Sequence, residues 1–286
     1  MADLTNVTTL VNGDVFDPQV VSDMINAKVA AKAAMTGYIK VDNTLQGVAG
    51  STVTVPRWGY IGAAEDLGEG QPIDTTKMAF TTAQYGIKKI GKGVMLTDEA
   101  QLSGYGNPTG TATNQIALSI SEKLDNDRVA VLYESKNVCD ASAAAIKYSA
   151  IVDGVDMFNE EEDSKKVILI HSKQKTQLRK DPDFIAADKL GSELLTSGAI
   201  GMIAGCEVKV SNKVKLEDGV YFNPIIKLDN TAETEDDLPA VTYFLKRGNL
   251  VEHERETGVG DKIVCTAFGM PALTNEAKVV ILKTKA

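Results

Sequence analysis

The chain has 286 residues, 43% hydrophobic but only 6% aromatic, with a formal net charge of −9. That composition supports an aliphatic core in one large domain or two ordinary ones and excludes a largely disordered chain. The acidic balance, with no basic stripe, argues against a protein that grips nucleic acid through its phosphates.

No apolar run reaches the roughly 18 residues of a membrane helix. The start, MADLTNVTTLVNGDVFDPQV, has no basic region followed by an apolar run, so no signal peptide is expected. The first 45 residues read as an extended arm carrying a short helix, with Val20, Val21, Met24, Ile25 and Val29 at near-helical spacing. From GSTVTVPRW the period changes. Val53 and Val55 alternate with Thr52 and Thr54, a strand signature, and Pro56 lacks the N–H of a central strand, so the strand lies at an edge or ends there. EDLGEGQPIDTT has the Gly, Pro and Asp content of a loop. AFTTAQYGIKKIGKGVMLT resumes the alternation, interrupted by Gly86, Gly91 and Gly93. Two strands around a loop make a long β-ribbon.

SGYGNPTG is a clear break. A long helix is expected after it, over about 112–135. Ile116, Ile120, Leu124 and Val131 form its apolar stripe, while Glu122, Lys123, Asp125, Asp127 and Arg128 occupy other angles. AIKYSAIVDGVDMFNEEED reads as a helix running into solvated acidic residues. KKVILIH reads as a buried strand, and SKQKTQLRK as a helix with a solvated basic face. DPDFIAADKLGSELLTSGAIGMIAG is turn-rich, CEVKVSNKV alternates, and LDNTAETEDDLPA is an acidic loop. VTYFLKRGNLVEHERE, KIVCTAFG and AKVVILKTK are three closing strands. Strands follow helices without regular βαβ alternation, which points to an α+β fold with largely antiparallel sheets.

A search for chemistry finds no constellation. There are two histidines, His171 and His253, and neither HExxH nor GxSxG occurs. His171 closes a strand before a helix and reads as a local structural residue. His253 reads as lying on the solvated face of a strand. GVGDK lacks P-loop spacing and is explained by a turn between strands. LDNTAETEDD lacks the Gly of a calcium loop. Cys139, Cys206 and Cys265 form no CxxC and are expected to be reduced thiols in an intracellular place of assembly. Cys265, in KIVCTAF, reads as a buried small hydrophobe. No catalytic residue, metal site or cofactor is expected.

The order of elements (arm, ribbon, long helix, mixed segment, closing strands) resembles the major capsid proteins of tailed bacteriophages, with their HK97-type fold. GSTVTVPRWGYIGAAEDLGEGQPIDTTKM, IKKIGKGVMLTDEAQLSGYGNP, LSISEKLDNDRVAVL and VILIHSKQKTQLRKDPDF look like the N4 gp56-like family of such proteins. The likeness runs from about residue 45 to the C-terminus; the arm and YFNPIIKLDNTAETEDDLPA carry it least.

The resemblance implies an α+β HK97-type capsid fold: an N-terminal arm over 1–45, an extension-loop ribbon over 46–97, a peripheral domain over 98–164 and 241–286 containing the spine helix, and an axial domain over 165–240. It implies a head-shell subunit that self-assembles, as pentamers and hexamers, into an icosahedral container for double-stranded DNA bound without sequence specificity. Portal and scaffolding proteins, and a decoration protein, are the further partners it implies; no membrane is involved. Location would be the virion, after assembly in the host cytoplasm. The ribbon would lie across a neighbouring subunit, with Trp58, Tyr60, Ile61, Glu65, Asp66, Lys88 and Lys89 as interface candidates. Packing of Trp58 in its own subunit's core is the alternative. No Lys, Asn and Glu align with a covalent cross-link, so none is expected. An encapsulin-like compartment shell is one rival, and an enzyme with the ribbon as lid and His171 as base is another. A tail-tube protein is disfavoured by the long helix.

Overall fold

The computed structural model describes residues 25, 28, 35–58, 75, 77, 78, 80–103, 108–160, 164–181, 201–228 and 239–286. In chain order the strands are β1 Lys40–Asp42, β2 Thr52–Trp58, β3 Phe80–Gly86, β4 Lys88–Thr97, β5 Val138–Ala145, β6 Lys166–Ile170, β7 Met202–Ile203, β8 Cys206–Val210, β9 Lys215–Glu217, β10 Val220–Lys227, β11 Val241–Glu256, β12 Gly260–Leu273 and β13 Val279–Lys285. The helices are α1 Asp98–Ser103, α2 Pro108–Leu132, α3 Tyr148–Asp156 and α4 Ser172–Arg179. Two compact units divide the chain.

The first unit draws on Met1–Val48, Lys88–Arg128 and Phe244–Gly269. Its sheet has the order β1-β11-β12-β4. β12 and β4 pair antiparallel from Gly260 opposite Thr97 to Gly269 opposite Lys88. α2 begins at Pro108, earlier than the expected 112, because Pro fits the first turn of a helix. It ends at Leu132 rather than 135; Tyr133, Glu134 and Ser135 continue with i→i−3 bonds that close the last turn. The expected stripe is buried, with Ile116 fully inaccessible. Asp125 and Arg128 lie off that stripe and are buried all the same. The Asp125 carboxylate accepts from the backbone N–H of Met35 at 3.4 Å and lies 3.6 Å from the Arg128 guanidinium.

The second unit draws on Ala49–Ile87, Val129–Tyr243 and Met270–Ala286. Its seven-stranded sheet runs β5-β13-β10-β6-β8-β7, with β9 also on β10. β13 with β5 and β6 with β8 are parallel, so this sheet is mixed, whereas β10 pairs antiparallel with β13, β6 and β9. The core lies between this sheet and the helices: Ile151 on α3, Leu178 on α4, and Ile168, Ile225, Val280 and Leu282 on the strands. Gly154 lets α3 approach closely, since a Cβ there would come within 2.9 Å of Ile225 Cδ1.

Four strands here are absent from the sequence reading, the short β7 and β9 and the longer β5 and β10. β5 (VCDASAAA) is rich in Ala and Ser, and its pairing with β13 sets its conformation. β10 carries Pro224 inside a central strand. On one side β13 pairs with it throughout, but on the other β9 takes residues 220–222 and β6 takes 225–227. Pro224 falls in the gap, where no ladder donor is needed.

Candidate self-association surfaces

The ribbon is a two-stranded antiparallel sheet of β2 and β3, with seven residue pairs from Thr52 opposite Gly86 to Trp58 opposite Phe80. Pro56 stands opposite Thr82 without ending the strand, because every strand of a two-stranded ribbon has a free edge. Val53, Val55, Ala83 and Tyr85 share one face, and Val55 and Tyr85 are buried. The Tyr85 hydroxyl donates to the Glu134 carboxylate at 3.1 Å, and the Ile87 N–H donates to the Ser51 carbonyl at 2.7 Å, which ties the ribbon's base to its own unit. Trp58 sits at the ribbon's far end, opposite Phe80. Tyr60, Ile61, Glu65 and Asp66 lie outside the described residues.

Lys88 and Lys89 open β4 and are exposed. Strand alternation sends them to opposite faces. The Lys89 ammonium lies 5.7 Å from the centre of the Phe268 ring, which the Arg247 guanidinium also covers at 4.7 Å. Lys88 belongs to a different surface, which the sequence reading missed. Lys88 and Lys92 flank Ile90, and Lys123 and Ile120 of α2 face them, enclosing an open cleft of about 350 Å³. Lys123 is paired with Asp127 at 2.6 Å, one helical turn on. The signal was present as KKIGK beside an amphipathic helix, but only the packing of α2 on β4 brings the lysines together.

The residues weighed for chemistry have structural roles. His171 caps α4: its Nδ1 accepts from the Lys173 N–H at 3.2 Å, and the Gln174 side chain accepts from the His171 N–H at 2.9 Å. Its ring stacks on Tyr221 at 5.0 Å. His253 is partly buried and lies 3.3 Å from Asp261, which corrects its reading as lying on the solvated face of its strand. Cys206 and Cys265 are buried, and burial pushes both thiols up to about 11, which makes them inert.

The acidic run after α3 was read as solvated, and Glu160 corrects it. Its carboxylate holds the Lys166 ammonium at 2.6 Å and the Lys227 ammonium at 2.5 Å, and accepts from the Ser164 hydroxyl. Burial alone would raise its pKa, but the two lysines and the hydroxyl bring it down to about 2. Among the described residues no group of three or more His, Cys, Asp or Glu is placed to hold a metal ion, and no helix is long and apolar enough to cross a membrane.

The two-stranded ribbon, the long helix α2 and the four- and seven-stranded sheets match HK97-type capsid folds. The capsid asymmetric unit of cyanophage Pam1 superposes with a TM-score of 0.70 at 11% identity, covering 88% of this chain and 91% of that one. The capsid of cyanophage P-SCSP1u gives 0.67 at 12% identity over 86% of each chain. Such low identities establish the fold alone. No family model matches. The major capsid protein of Staphylococcus phage phiMR11 is 34% identical over 200 residues, 69% of this chain and 72% of that protein. The chain belongs to the phage major capsid proteins.

Proposed function

We propose that this chain is the head-shell subunit of a tailed phage, assembling with its own copies as pentamers and hexamers into an icosahedral container for double-stranded DNA. The observation that carries this reading is the 34% identity to a phage major capsid protein over 72% of that protein's length. Function then arises by mass action over many repeated contacts, each modest. The protein is structural and not an enzyme, which accords with the capping role of His171.

Within the shell, 98–164 and 241–286 form the peripheral domain and 165–240 the axial domain near the symmetry axes, the pairing of β13 with β10 putting strands of both in one sheet. The arm, 1–45, and the ribbon, 46–97, reach neighbouring subunits, with Trp58, Tyr60, Ile61, Glu65, Asp66, Lys88 and Lys89 at the contact. The wording of GSTVTVPRWGYIGAAEDLGEGQPIDTTKM and IKKIGKGVMLTDEAQLSGYGNP supports placement among the N4 gp56-like capsid proteins. Portal and scaffolding proteins, and a decoration protein, are the further partners. Assembly takes place in the host cytoplasm and the final location is the virion.

Negative-stain electron microscopy of the purified protein after size exclusion, alone and with a scaffolding protein, tests the reading. Closed polyhedra, or fivefold and sixfold rings, are expected. A small species under every condition of salt, concentration and scaffold would overturn it.

A further inference from the structure

The cleft between β4 and α2 lies within one compact unit, whose stretch Lys88–Arg128 supplies both of its walls. Side chains alternate along a strand, so Lys88, Ile90 and Lys92 share one face of β4. Ile90 and Ile120 are buried and form an apolar floor. Lys88 and Lys92 are exposed on either side of it. Among the described residues neither of these two lysines forms an ion pair. The one carboxylate in the cleft, Asp127, is already taken by Lys123 at 2.6 Å. Lys89 is occupied as well, since its ammonium lies over the Phe268 ring. Two uncompensated positive charges thus bracket an apolar centre, in a chain whose net charge is −9.

The spacing selects the ligand. Lys88 and Lys92 are four strand steps apart, roughly 13 Å, so one phosphate or carboxylate does not engage both. A nucleic-acid backbone brings charge without an aliphatic group for the floor, and the charge of the whole chain opposes a long polyanion. An extended peptide has the period of β4 itself. Carboxylates at its positions i and i+4 meet Lys88 and Lys92, and an aliphatic side chain at i+2 points the same way, onto Ile90 and Ile120.

We propose that this cleft docks an extended acidic segment of a partner protein, in which two Asp or Glu four residues apart bracket an aliphatic residue. The inference goes beyond the shell reading and does not depend on it, because the isolated chain carries the whole cleft. Exposed ion pairs contribute little singly, and here they set register while the aliphatic residue adds burial. The cleft is open, so the contact weakens as salt rises.

Fluorescence anisotropy with the full chain and synthetic peptides tests this. The probe is GSETLTESG; GSQTLTQSG removes its charge, GSETGTESG removes its aliphatic side chain, and GSKTLTKSG reverses its charge. One variant of the chain carries Lys88→Gln and Lys92→Gln, and a second carries Lys88→Glu and Lys92→Glu. Both changes fall at exposed positions, and a native circular dichroism spectrum is required of each. The unaltered chain is expected to bind the probe at low salt. Either altered acidic-series peptide, or the glutamine variant, is expected to bind about tenfold more weakly. The glutamate variant is expected to refuse the probe and accept GSKTLTKSG.

No binding of the probe at low salt would overturn the proposal. So would equal binding of GSQTLTQSG, equal binding by a folded glutamine variant, or failure of a folded glutamate variant to accept the reversed peptide. Sedimentation of the same proteins covers the other occupant: a loss of self-association in both variants, with no binding of the probe to the unaltered chain, would make the cleft a contact between copies and overturn the partner segment.

Discussion

Gly260 sets the turn between β11 and β12. Its φ is +154°, and a Cβ there would stand 2.1 Å from the Leu96 carbonyl oxygen and 2.7 Å from Thr97 Cα. Backbone cannot yield as a side chain can, so Gly260→Ala is expected to cost about 2–4 kcal/mol, read as a lowered thermal midpoint; an unchanged midpoint would contradict the geometry. Glu160 makes a pH-dependent contribution. Its pKa is about 2 in the folded chain against 4.5 unperturbed, so its stabilisation is complete above about pH 5 and lost as pH falls from 4.5 toward 2. Acid titration of stability is expected to show a steeper limb in that window than the Glu160→Gln variant does. That variant should also be less stable at pH 7, since it leaves two buried ammonium groups facing a neutral amide. His171→Ala is expected to lose about 1 kcal/mol of helix capping and still assemble; a folded variant that cannot form particles would reopen a functional role for the imidazole.

At the scale of elements, α2 shows how one side of a helix is decided. Its stripe is spaced to pack, and Ile116→Ala is expected to cost about 2–5 kcal/mol because the site is fully buried and enclosed. Chemical denaturation measures it; a loss below 0.5 kcal/mol would mean the helix does not pack as described. The stripe, the ribbon's alternation and the closing strands were legible in the sequence, since a period of 3.6 or 2 is a property of neighbouring residues. β5 and β10 were not. Their residues carry weak or contrary local signals, and their strands exist because β13 hydrogen-bonds to both. Glu160 was misread for a related reason: charge in a loop predicts solvent until a distant partner is brought to it, and the burial of Asp125 and Arg128 was likewise not visible in the sequence.

For the whole molecule, the proposed shell reading leaves contacts for other copies to complete. Removing Glu65–Asp74 is expected to leave the fold intact by circular dichroism and to abolish particle formation under conditions that assemble the full chain. Particles of normal yield would show that the ribbon's far segment is dispensable. On the proposed shell reading, a net charge of −9 disfavours adhesion of DNA to the subunit. The isolated subunit is therefore expected not to bind DNA at any salt; tight binding at low salt would sink that account.

The sequence by itself determined the class of protein, the α+β architecture and the positions of the β2–β3 hairpin and the long helix along the chain, because these rest on local periodicity and on runs of residues that resemble a known family. Only the tertiary structure decided which charges are buried, how a strand tolerates Pro224, and that Lys88, Lys92 and Lys123 form one surface. Those outcomes depend on residues far apart in the chain arriving at the same place, and the free energy of a charge is set by what surrounds it.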